Sequence, residues 1–268
     1  MVELGLKIAV CGKGGVGKTL VAGVLARLLA RDGFKVLAVD CDSNPNLYMT
    51  LGIPEEVVKN VVPISEDLDL IERRTGSRPG SSWGSLFRLT PKVDDIPARY
   101  SIIGPDGVRL LIMGAPPRAG TGCLCPSYAF VRELVRHIVL YERDVVVMDM
   151  EAGLEHFGRS VARGVDLMLG VTEPTERSML ALKRMADMAR QMGVGSFWAV
   201  LNKVMEDEAD WARGKMEESG LDVKAIIPFD RAVLDADRTG ISPLDASPDS
   251  PAIRALVQLK DLVEEEFA

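Results

Sequence analysis

Residues 7–19 read KIAVCGKGGVGKT, a short apolar run followed by a glycine-rich turn and a lysine–threonine pair. Within this stretch, residues 12–19 match G-x-x-x-x-G-K-[ST] in full, directly after a predicted strand and at the start of a predicted helix. In that context the glycines let backbone N–H groups turn towards phosphate oxygens, and the helix N-terminus adds the positive end of its dipole. The stretch therefore predicts a nucleotide-binding loop made of Gly12, Lys13, Gly14, Gly15, Val16, Gly17, Lys18 and Thr19.

Two side chains of this loop have expected roles of their own. We expect the Lys18 ammonium to reach the β- and γ-phosphates of ATP and the Thr19 hydroxyl to ligate Mg²⁺. The predicted activity is ATP hydrolysis, with ATP as substrate and Mg²⁺ as the metal cofactor.

Apolar runs alternate with amphipathic segments along the rest of the chain. Most of these runs are continuously apolar, which indicates strands covered by helices on both faces of a parallel sheet. We predict one α/β domain over residues 1–268, with a doubly wound, mostly parallel sheet of about seven or eight strands. The predicted strands are Lys7–Cys11, Lys35–Asp40, Val108–Met113, Asp144–Asp149, Asp166–Val171, Phe197–Leu201 and Val223–Ile227.

One stretch interrupts the alternation. Asp40 and Val108 are separated by 67 residues, and the middle part, Thr75–Ser85, is rich in Gly, Ser, Pro and Arg. A loop this long in a compact domain is usually functional or mobile. We expect a short helix near Glu55–Lys59 followed by an irregular excursion.

Aspartates follow two of the apolar runs at the predicted nucleotide-binding edge of the sheet. Asp149 ends Val145–Met148, which is the Walker B arrangement, and Asp40-Cys41-Asp42 ends the second predicted strand in the same way. Ligands bind at the carboxyl ends of strands in open α/β sheets. We therefore expect Asp149 to hold the Mg²⁺ shell.

Composition and charge limit the classes of partner. The chain has 268 residues, a net charge of −7 and 47% apolar residues. Nucleic-acid binding needs a basic face, which this balance disfavours. No apolar run approaches the roughly 18 residues that span a bilayer, and the predicted C-terminal helix ends in Glu264–Glu266 rather than in basic residues. We predict a cytoplasmic protein, without a signal or transit peptide, that binds neither nucleic acid nor membrane.

The extra lysine in the glycine-rich loop carries a family resemblance. Lys13 within KGGVGKT resembles the deviant Walker A motif of the MinD, ParA, ArsA and nitrogenase iron-protein class of P-loop ATPases. The resemblance implies an ATP-dependent homodimer in which Lys13 reaches the partner's phosphates, as an arginine finger does. It also implies that Asp42 orients the attacking water in switch I and that Asp149–Arg159 is switch II.

The same resemblance suggests residues around the adenine base. Asn202-Lys203 follows a predicted strand and resembles the family's adenine-contacting asparagine, with the Lys203 ammonium expected to be solvated. Pro228-Phe229-Asp230 resembles the second base-side loop.

Four cysteines, Cys11, Cys41, Cys123 and Cys125, are expected to stay reduced in the cytoplasm. Cys11 and Cys41 lie at strand ends and are expected to be buried. Cys123-Leu124-Cys125 is framed by Gly122 and Pro126 and presents two thiolates, which is half a ligand set. In a two-fold dimer two such pairs make a four-sulfur site suited to Zn²⁺ or Ni²⁺.

The two histidines do not obviously complete the ligand set. His137 falls within a predicted helix and is expected to be packed or on the surface, whereas His156 lies in the switch II stretch.

Four runs together narrow the resemblance. GKGGVGKT, PKVDDIP, AGTGCLCP and DMEAGLEHFGR resemble the carbon monoxide dehydrogenase nickel-insertion ATPases of the CooC type. The resemblance implies a homodimeric ATPase that binds Ni²⁺, or Zn²⁺, through Cys123 and Cys125 and serves carbon monoxide dehydrogenase. A related nickel enzyme such as acetyl-CoA synthase is an alternative client.

Two other functions remain open on the sequence. An ATP-dependent iron–sulfur reductase like the nitrogenase iron protein needs a second cluster cysteine in switch II, and Met150–Arg159 contains none. A MinD/ParA-like positioning ATPase leaves the cysteine pair unexplained.

Overall fold

The computed structural model describes residues 5–80, 86–114, 124–141, 144–151 and 164–267. Over these residues the chain forms an eight-stranded sheet with the order β3-β4-β2-β5-β1-β6-β7-β8. Neighbouring strands are parallel except for β3, which runs antiparallel to β4. The strands are β1 (Lys7–Gly12), β2 (Val36–Asp40), β3 (Ile102–Ile103), β4 (Arg109–Ile112), β5 (Val145–Asp149), β6 (Leu167–Thr172), β7 (Ser196–Val204) and β8 (Val223–Pro228).

Helices cover both faces of the sheet. They are α1 (Lys18–Arg31), α2 (Leu47–Leu51), α3 (Glu55–Val58), α4 (Leu68–Thr75), α5 (Ile96–Tyr100), α6 (Cys125–Tyr141), α7 (Glu176–Met192), α8 (Ala209–Glu218), α9 (Arg231–Thr239), α10 (Pro243–Ala246) and α11 (Pro251–Phe267). Short 3-10 turns span Pro105–Gly107 and Glu206–Glu208. None of the helices described is both long enough and apolar enough to cross a bilayer.

Burial on both faces explains the continuously apolar strands. In β1, Ile8 and Val10 pack into the cluster that contains α1 and α11, whereas Ala9 and Cys11 face the cluster of α4 and α6. Because every position of such a strand meets a helix, the alternation of apolar and polar residues disappears. The doubly wound, mostly parallel α/β sheet predicted from the sequence is confirmed.

All seven predicted strands are present, with ends shifted by at most three residues. The sequence analysis missed β3, because a two-residue edge strand carries almost no pattern and Ile103 is largely exposed. It also ended β7 too early at Leu201, whereas the strand continues through Asn202 to Val204.

The expected irregular excursion is wrong in part. The short helix α3 is confirmed, but α2, α4 and α5 also interrupt this stretch. In α4 the Asp67 carboxylate caps the helix by accepting from the Leu70 N–H at 2.8 Å, and Leu70 and Ile71 are buried. Tertiary burial stabilises helices that are too short to be stable alone.

A buried arginine ties α1 to two distant segments. Arg27 is 2% exposed, and its guanidinium donates to Asp106 at 2.7 Å and to Asp245 at 2.5 and 2.9 Å. Asp106 lies in the 3-10 turn before β4, and Asp245 lies in α10. The neighbouring Arg31 contacts the same two carboxylates at 3.2 and 3.6 Å, but its side chain is 39% exposed.

We predict that Arg27→Ala lowers the free energy of unfolding by about 3 kcal/mol, because it removes the buried charge that pairs with two carboxylates. Urea denaturation measures the change. The control Arg31→Ala loses exposed contacts to the same carboxylates and should cost less than about 1 kcal/mol. Equal losses in the two variants would contradict this account of the network.

Candidate functional site

The loop between β1 and α1 requires glycine at two positions where the backbone is packed closely. Gly12 has φ 151°, and a Cβ there would lie 2.3 Å from the Val171 carbonyl oxygen of β6. Gly17 has φ 96°, and a Cβ there would lie 2.2 Å from Asn202 Nδ2 of β7. Since no side chain fits at these points, the loop lies tight against the neighbouring strands and its amides are left to bind phosphate.

The two lysines of the loop have different environments. Lys18 is 8% exposed and its ammonium donates to the Lys13 carbonyl oxygen at 3.3 Å, so it arches back over the loop. Lys13 itself is exposed and borders a cavity of about 340 Å³ that Glu173 and Arg177 also line. Lys18 thus lies within the loop and Lys13 at the rim of the cavity, and their roles towards phosphate stay predictions.

Asp149 and Thr19, the two residues expected to hold Mg²⁺, are in direct contact. Asp149 is 2% exposed, and its Oδ2 accepts a hydrogen bond from the Thr19 hydroxyl at 2.6 Å. Its other oxygen, Oδ1, is buried and has no hydrogen-bond partner among the described residues. A buried carboxylate oxygen without a donor, next to a hydroxyl at a phosphate-binding loop, fits the oxygen-ligand chemistry of Mg²⁺.

The environment of Asp149 disfavours its charged form. Burial raises the pKa of this carboxyl to about 7, and the negative Asp40 adds to the effect, while the hydrogen bond from Thr19 opposes it. Asp40 and Asp149 are register partners at the ends of β2 and β5. Binding a divalent cation would relieve both costs, because it supplies positive charge at the buried oxygens.

Both carboxylate oxygens of Asp40 accept hydrogen bonds from the backbone of the loop that follows β2. Its Oδ1 accepts from the Asp42 N–H at 3.1 Å, and its Oδ2 accepts from the N–H groups of Asn46 and Leu47, both at 2.9 Å. These bonds hold the segment between β2 and α2. Burial raises the pKa of Asp40 to about 6 in spite of them.

The predicted switch residue Asp42 lies in this loop. Asp42 is half-buried, and its Oδ1 accepts from the Asn44 N–H at 2.9 Å. The neighbouring Ser43 hydroxyl donates to Glu151 Oε1 at 2.9 Å, which joins the loop to the segment after β5. Asp42's role in orienting water stays a prediction. Of the predicted switch II, residues 152–159, including His156, lie outside the described residues.

The base-side residues support the phosphate loop. Asn202 is 2% exposed, its Nδ2 donates to the Val16 carbonyl oxygen at 2.8 Å, and its Oδ1 accepts from the Lys203 N–H at 2.9 Å. Both polar groups of the asparagine are thus engaged within the protein. Contact with adenine stays a prediction for Asn202 and for the Pro228–Asp230 loop.

In that loop, Phe229 is 47% exposed, whereas the Asp230 carboxylate accepts from the N–H groups of Ala232 and Ala252 at 2.9 and 3.0 Å. Pro228 is the last residue of β8. Asp230 therefore joins the start of α9 to the start of α11.

Lys203 is exposed, as expected of a solvated ammonium, and it also contacts the phosphate loop. Its ammonium donates to the Gly15 carbonyl oxygen at 2.6 Å and to Glu173 Oε1 at 2.7 Å, and its backbone has φ 59°. The lysine therefore supports the phosphate loop from β7. The sequence analysis missed Glu173, whose only signal is a carboxylate directly after β6.

Of the two predicted metal-binding cysteines, Cys125 lies within the described residues. Cys125 is exposed and is the first residue of α6, which leads into β5 and so to Asp149. Cys123 lies outside the described residues. Within the described ranges, no three His, Cys, Asp or Glu side chains converge as a metal-binding group.

Cys11 and Cys41 are buried as expected, and His137 lies in a helix as expected. Cys11 and Cys41 are buried, and burial raises the pKa of Cys11 to about 12 and that of Cys41 well above its ordinary value. Both therefore remain protonated thiols. His137 is half-buried within α6.

We predict that, without metal and nucleotide, wild-type protein loses stability relative to Asp149→Asn as the pH rises from about 4 to about 7. The folded protein keeps the Asp149 proton up to a pKa of about 7, whereas the unfolded chain releases it near the ordinary pKa of 3.8. Because the folded state binds more protons in this window, stability falls with rising pH. Urea denaturation with a chelator measures this.

The control Asp210→Asn removes an exposed carboxylate of α8 and should follow the wild-type curve. Parallel wild-type and Asp149→Asn curves would contradict the buried, protonated carboxyl.

Known proteins resemble this chain in sequence. An uncharacterized ATP-binding protein of Methanocaldococcus jannaschii is 43% identical over 237 residues, which cover 88% of this chain and 90% of that protein. The carbon monoxide dehydrogenase accessory protein CooC of Rhodospirillum rubrum is 40% identical over 244 residues, 91% of each chain. The resemblance inferred from the four sequence runs is confirmed by this relative.

A solved structure resembles the fold. The septum site-determining protein MinD of Pyrococcus horikoshii, complexed with Mg-ADP, superimposes with a TM-score of 0.70 over 98% of this chain and 97% of that one, at 20% identity. The CobQ/CobB/MinD/ParA nucleotide binding domain model matches residues 7–244. The chain therefore belongs to the CobQ/CobB/MinD/ParA family of nucleotide-binding P-loop ATPases.

Proposed function

We propose that this chain is an ATP-dependent nickel-insertion accessory protein that acts as a homodimer in the cytoplasm and serves carbon monoxide dehydrogenase or a related nickel enzyme. The proposal is carried by one observation: Cys125 begins the helix α6 that leads into β5, the strand that ends at Asp149. The 40% identity to the carbon monoxide dehydrogenase accessory protein supports the same function.

The nucleotide site contributes positioning and charge. In the proposed dimer, backbone amides of the Gly12–Thr19 loop and the Lys18 ammonium hold the phosphates, while Thr19 and Asp149 hold Mg²⁺. Mg²⁺, when bound, offsets negative charge on the phosphates. Lys13, exposed at the rim, is the residue free to extend towards a partner subunit, and Asp42 is proposed to orient the attacking water.

The metal site in this proposal is completed by symmetry. Each chain contributes Cys123 and Cys125, and two-fold symmetry brings two pairs together around one Ni²⁺ or Zn²⁺ as cargo. A single domain over residues 1–268 is sufficient for both functions.

Coupling would run through β5 and the loops at its end. Ser43 and Glu151 connect the segment after β2 to the segment after β5. Binding or loss of the γ-phosphate would shift Asp149 and, with it, the two segments that Ser43 and Glu151 connect. Through β5 and α6 the same shift would reach the cysteine loop. We propose that one nucleotide state holds nickel and another releases it. Equal Ni²⁺ affinity in the nucleotide-free, ADP-bound and ATP-trapped protein would exclude this coupling.

We predict that Lys13→Ala lowers the ATP hydrolysis rate by about 10³-fold, the scale of an arginine finger, and abolishes ATP-dependent dimerisation. Phosphate release and sedimentation velocity measure the two effects. The control Lys35→Ala removes an exposed lysine before β2 and should behave as wild type. Unchanged hydrolysis and dimerisation in Lys13→Ala would exclude a role across the dimer.

We predict that wild-type dimer binds one Ni²⁺ or Zn²⁺, and that Cys123→Ser/Cys125→Ser abolishes tight binding and activation of apo-dehydrogenase. Calorimetric titration and enzyme activation measure these. The matched control Cys11→Ala/Cys41→Ala removes two buried thiols and should keep the metal site. A brown wild-type protein would instead favour the iron–sulfur reductase, and maturation by the Ser variant would exclude the nickel role.

A further inference from the structure

A basic pocket lies in the stretch between β2 and β4, away from the nucleotide-binding residues. It has a volume of about 700 Å³ and is formed by α4, α5 and the segment before α5. Five of its lining side chains are cationic: Arg73, Arg74, Arg88, Lys92 and Arg99. The proposed function assigns no role to them, although Lys92 belongs to one of the four sequence runs.

The pocket is positively charged, whereas the chain as a whole is negatively charged. Its five cations face one lining carboxylate, Asp95, in a protein whose net charge is −7. Arg74 and Arg99 pair with Asp95 at 2.7 and 3.1 Å, and the hydrogen bond from Arg74 is the main cause that lowers the pKa of this carboxyl to about 2. The single acid is therefore ionised and already engaged.

The remaining cations have no comparable partner. Among the described residues, neither Arg73 nor Arg88 has an ion pair within 4.0 Å, although the chain contains 39 Asp and Glu residues. Lys92 has only Asp94 at 3.7 Å, and both side chains are exposed, so solvent screens that pair. Like charges held together are unfavourable unless an anion binds among them.

The cluster is held by a defined backbone frame. The Arg88 N–H donates to the Thr75 carbonyl oxygen at 2.7 Å at the end of α4, and Arg74 donates to the Lys92 carbonyl oxygen at 3.2 Å. Leu70 and Ile96 anchor α4 and α5 in the core. The cations are thus gathered by the fold rather than scattered along a loose surface.

The form of the pocket favours an extended ligand over a single small ion. Arg73, Arg88, Lys92 and Arg99 are all exposed and stand around the pocket, which Leu70 and Tyr100 also line. A small phosphate site typically uses backbone amides of a glycine-rich turn, as at Gly12–Thr19. Exposed arginine side chains are instead enriched at protein interfaces.

We propose that this basic pocket is a docking site for a carboxylate-rich segment of a protein partner. Arginine forks pair bidentately with carboxylates, and the half-buried Tyr100 ring lies among them. The helix α4 packs against α6, which begins at Cys125, so a docked partner lies on the same face of the sheet as that helix. The identification of this partner as the nickel enzyme rests on the proposed function. The docking site itself is independent of the proposed function.

The test measures binding of a fluorescein-labelled peptide of six glutamates and one leucine, by anisotropy, without metal or nucleotide. We expect binding that weakens with salt, and a loss of at least about tenfold in Arg73→Gln/Arg88→Gln, since two unpaired arginines leave. Because both side chains are exposed and form no ion pair with the described residues, the variant should keep the wild-type melting temperature and ATP hydrolysis rate.

The matched control is Lys183→Gln/Arg184→Gln, which removes two exposed charges from α7. It should change peptide affinity less than about twofold, because neither residue lines the pocket and solvent screens exposed charges. Equal losses in the two variants, or no binding at low salt, would overturn the proposal. Stronger binding of pyrophosphate or single-stranded DNA at the same arginines would overturn the assignment to an acidic protein segment.

Discussion

The hydrogen bond from Thr19 to the buried Asp149 carboxylate is the interaction on which the nucleotide site depends. It joins the first turn of α1 to the end of β5, and these elements lie on either side of the glycine-rich loop. The bond satisfies one oxygen of a carboxylate that burial otherwise disfavours, and the second oxygen has no partner among the described residues. The hydrogen bond from Thr19 thus offsets part of the cost of burying the carboxylate, and the second oxygen is left to accept a cation.

Around this pair, several charged and polar side chains serve the loops rather than the ligand. Asp40 holds the segment after β2 through three backbone amides, and Lys203 supports the phosphate loop through the Gly15 carbonyl oxygen. Asn202 does the same through the Val16 carbonyl oxygen. A site that positions phosphates needs this support, because four of the eight loop residues, Gly12, Gly14, Gly15 and Gly17, have no side chain.

Charge is distributed unevenly over the molecule. The chain is acidic overall, yet the arginines of α4 and of the segment before α5 gather in one pocket on the face covered by α6. The nucleotide site and the basic pocket thus attract anions by different means. The first uses amides and a helix end, and the second uses long side chains.

The sequence by itself determined the phosphate loop, seven strands and the parallel sheet, since a continuous motif and continuous apolar runs are local signals. It also identified Asp149, because a carboxylate after a buried strand must lie at the ligand-binding edge of such a sheet. The edge strand β3 and the helices α2, α4 and α5 escaped prediction because they are short and depend on burial against distant elements.

Only the tertiary structure decided what several polar residues contact. Asn202 and Lys203 are 186 and 188 residues from the carbonyl groups they support, so no sequence pattern connects them. The basic pocket likewise combines Arg73 with Arg99 through the packing of two helices and a loop. Motifs of neighbouring residues can be recognised in the sequence, whereas contacts between distant residues form only when the packed core brings their elements together.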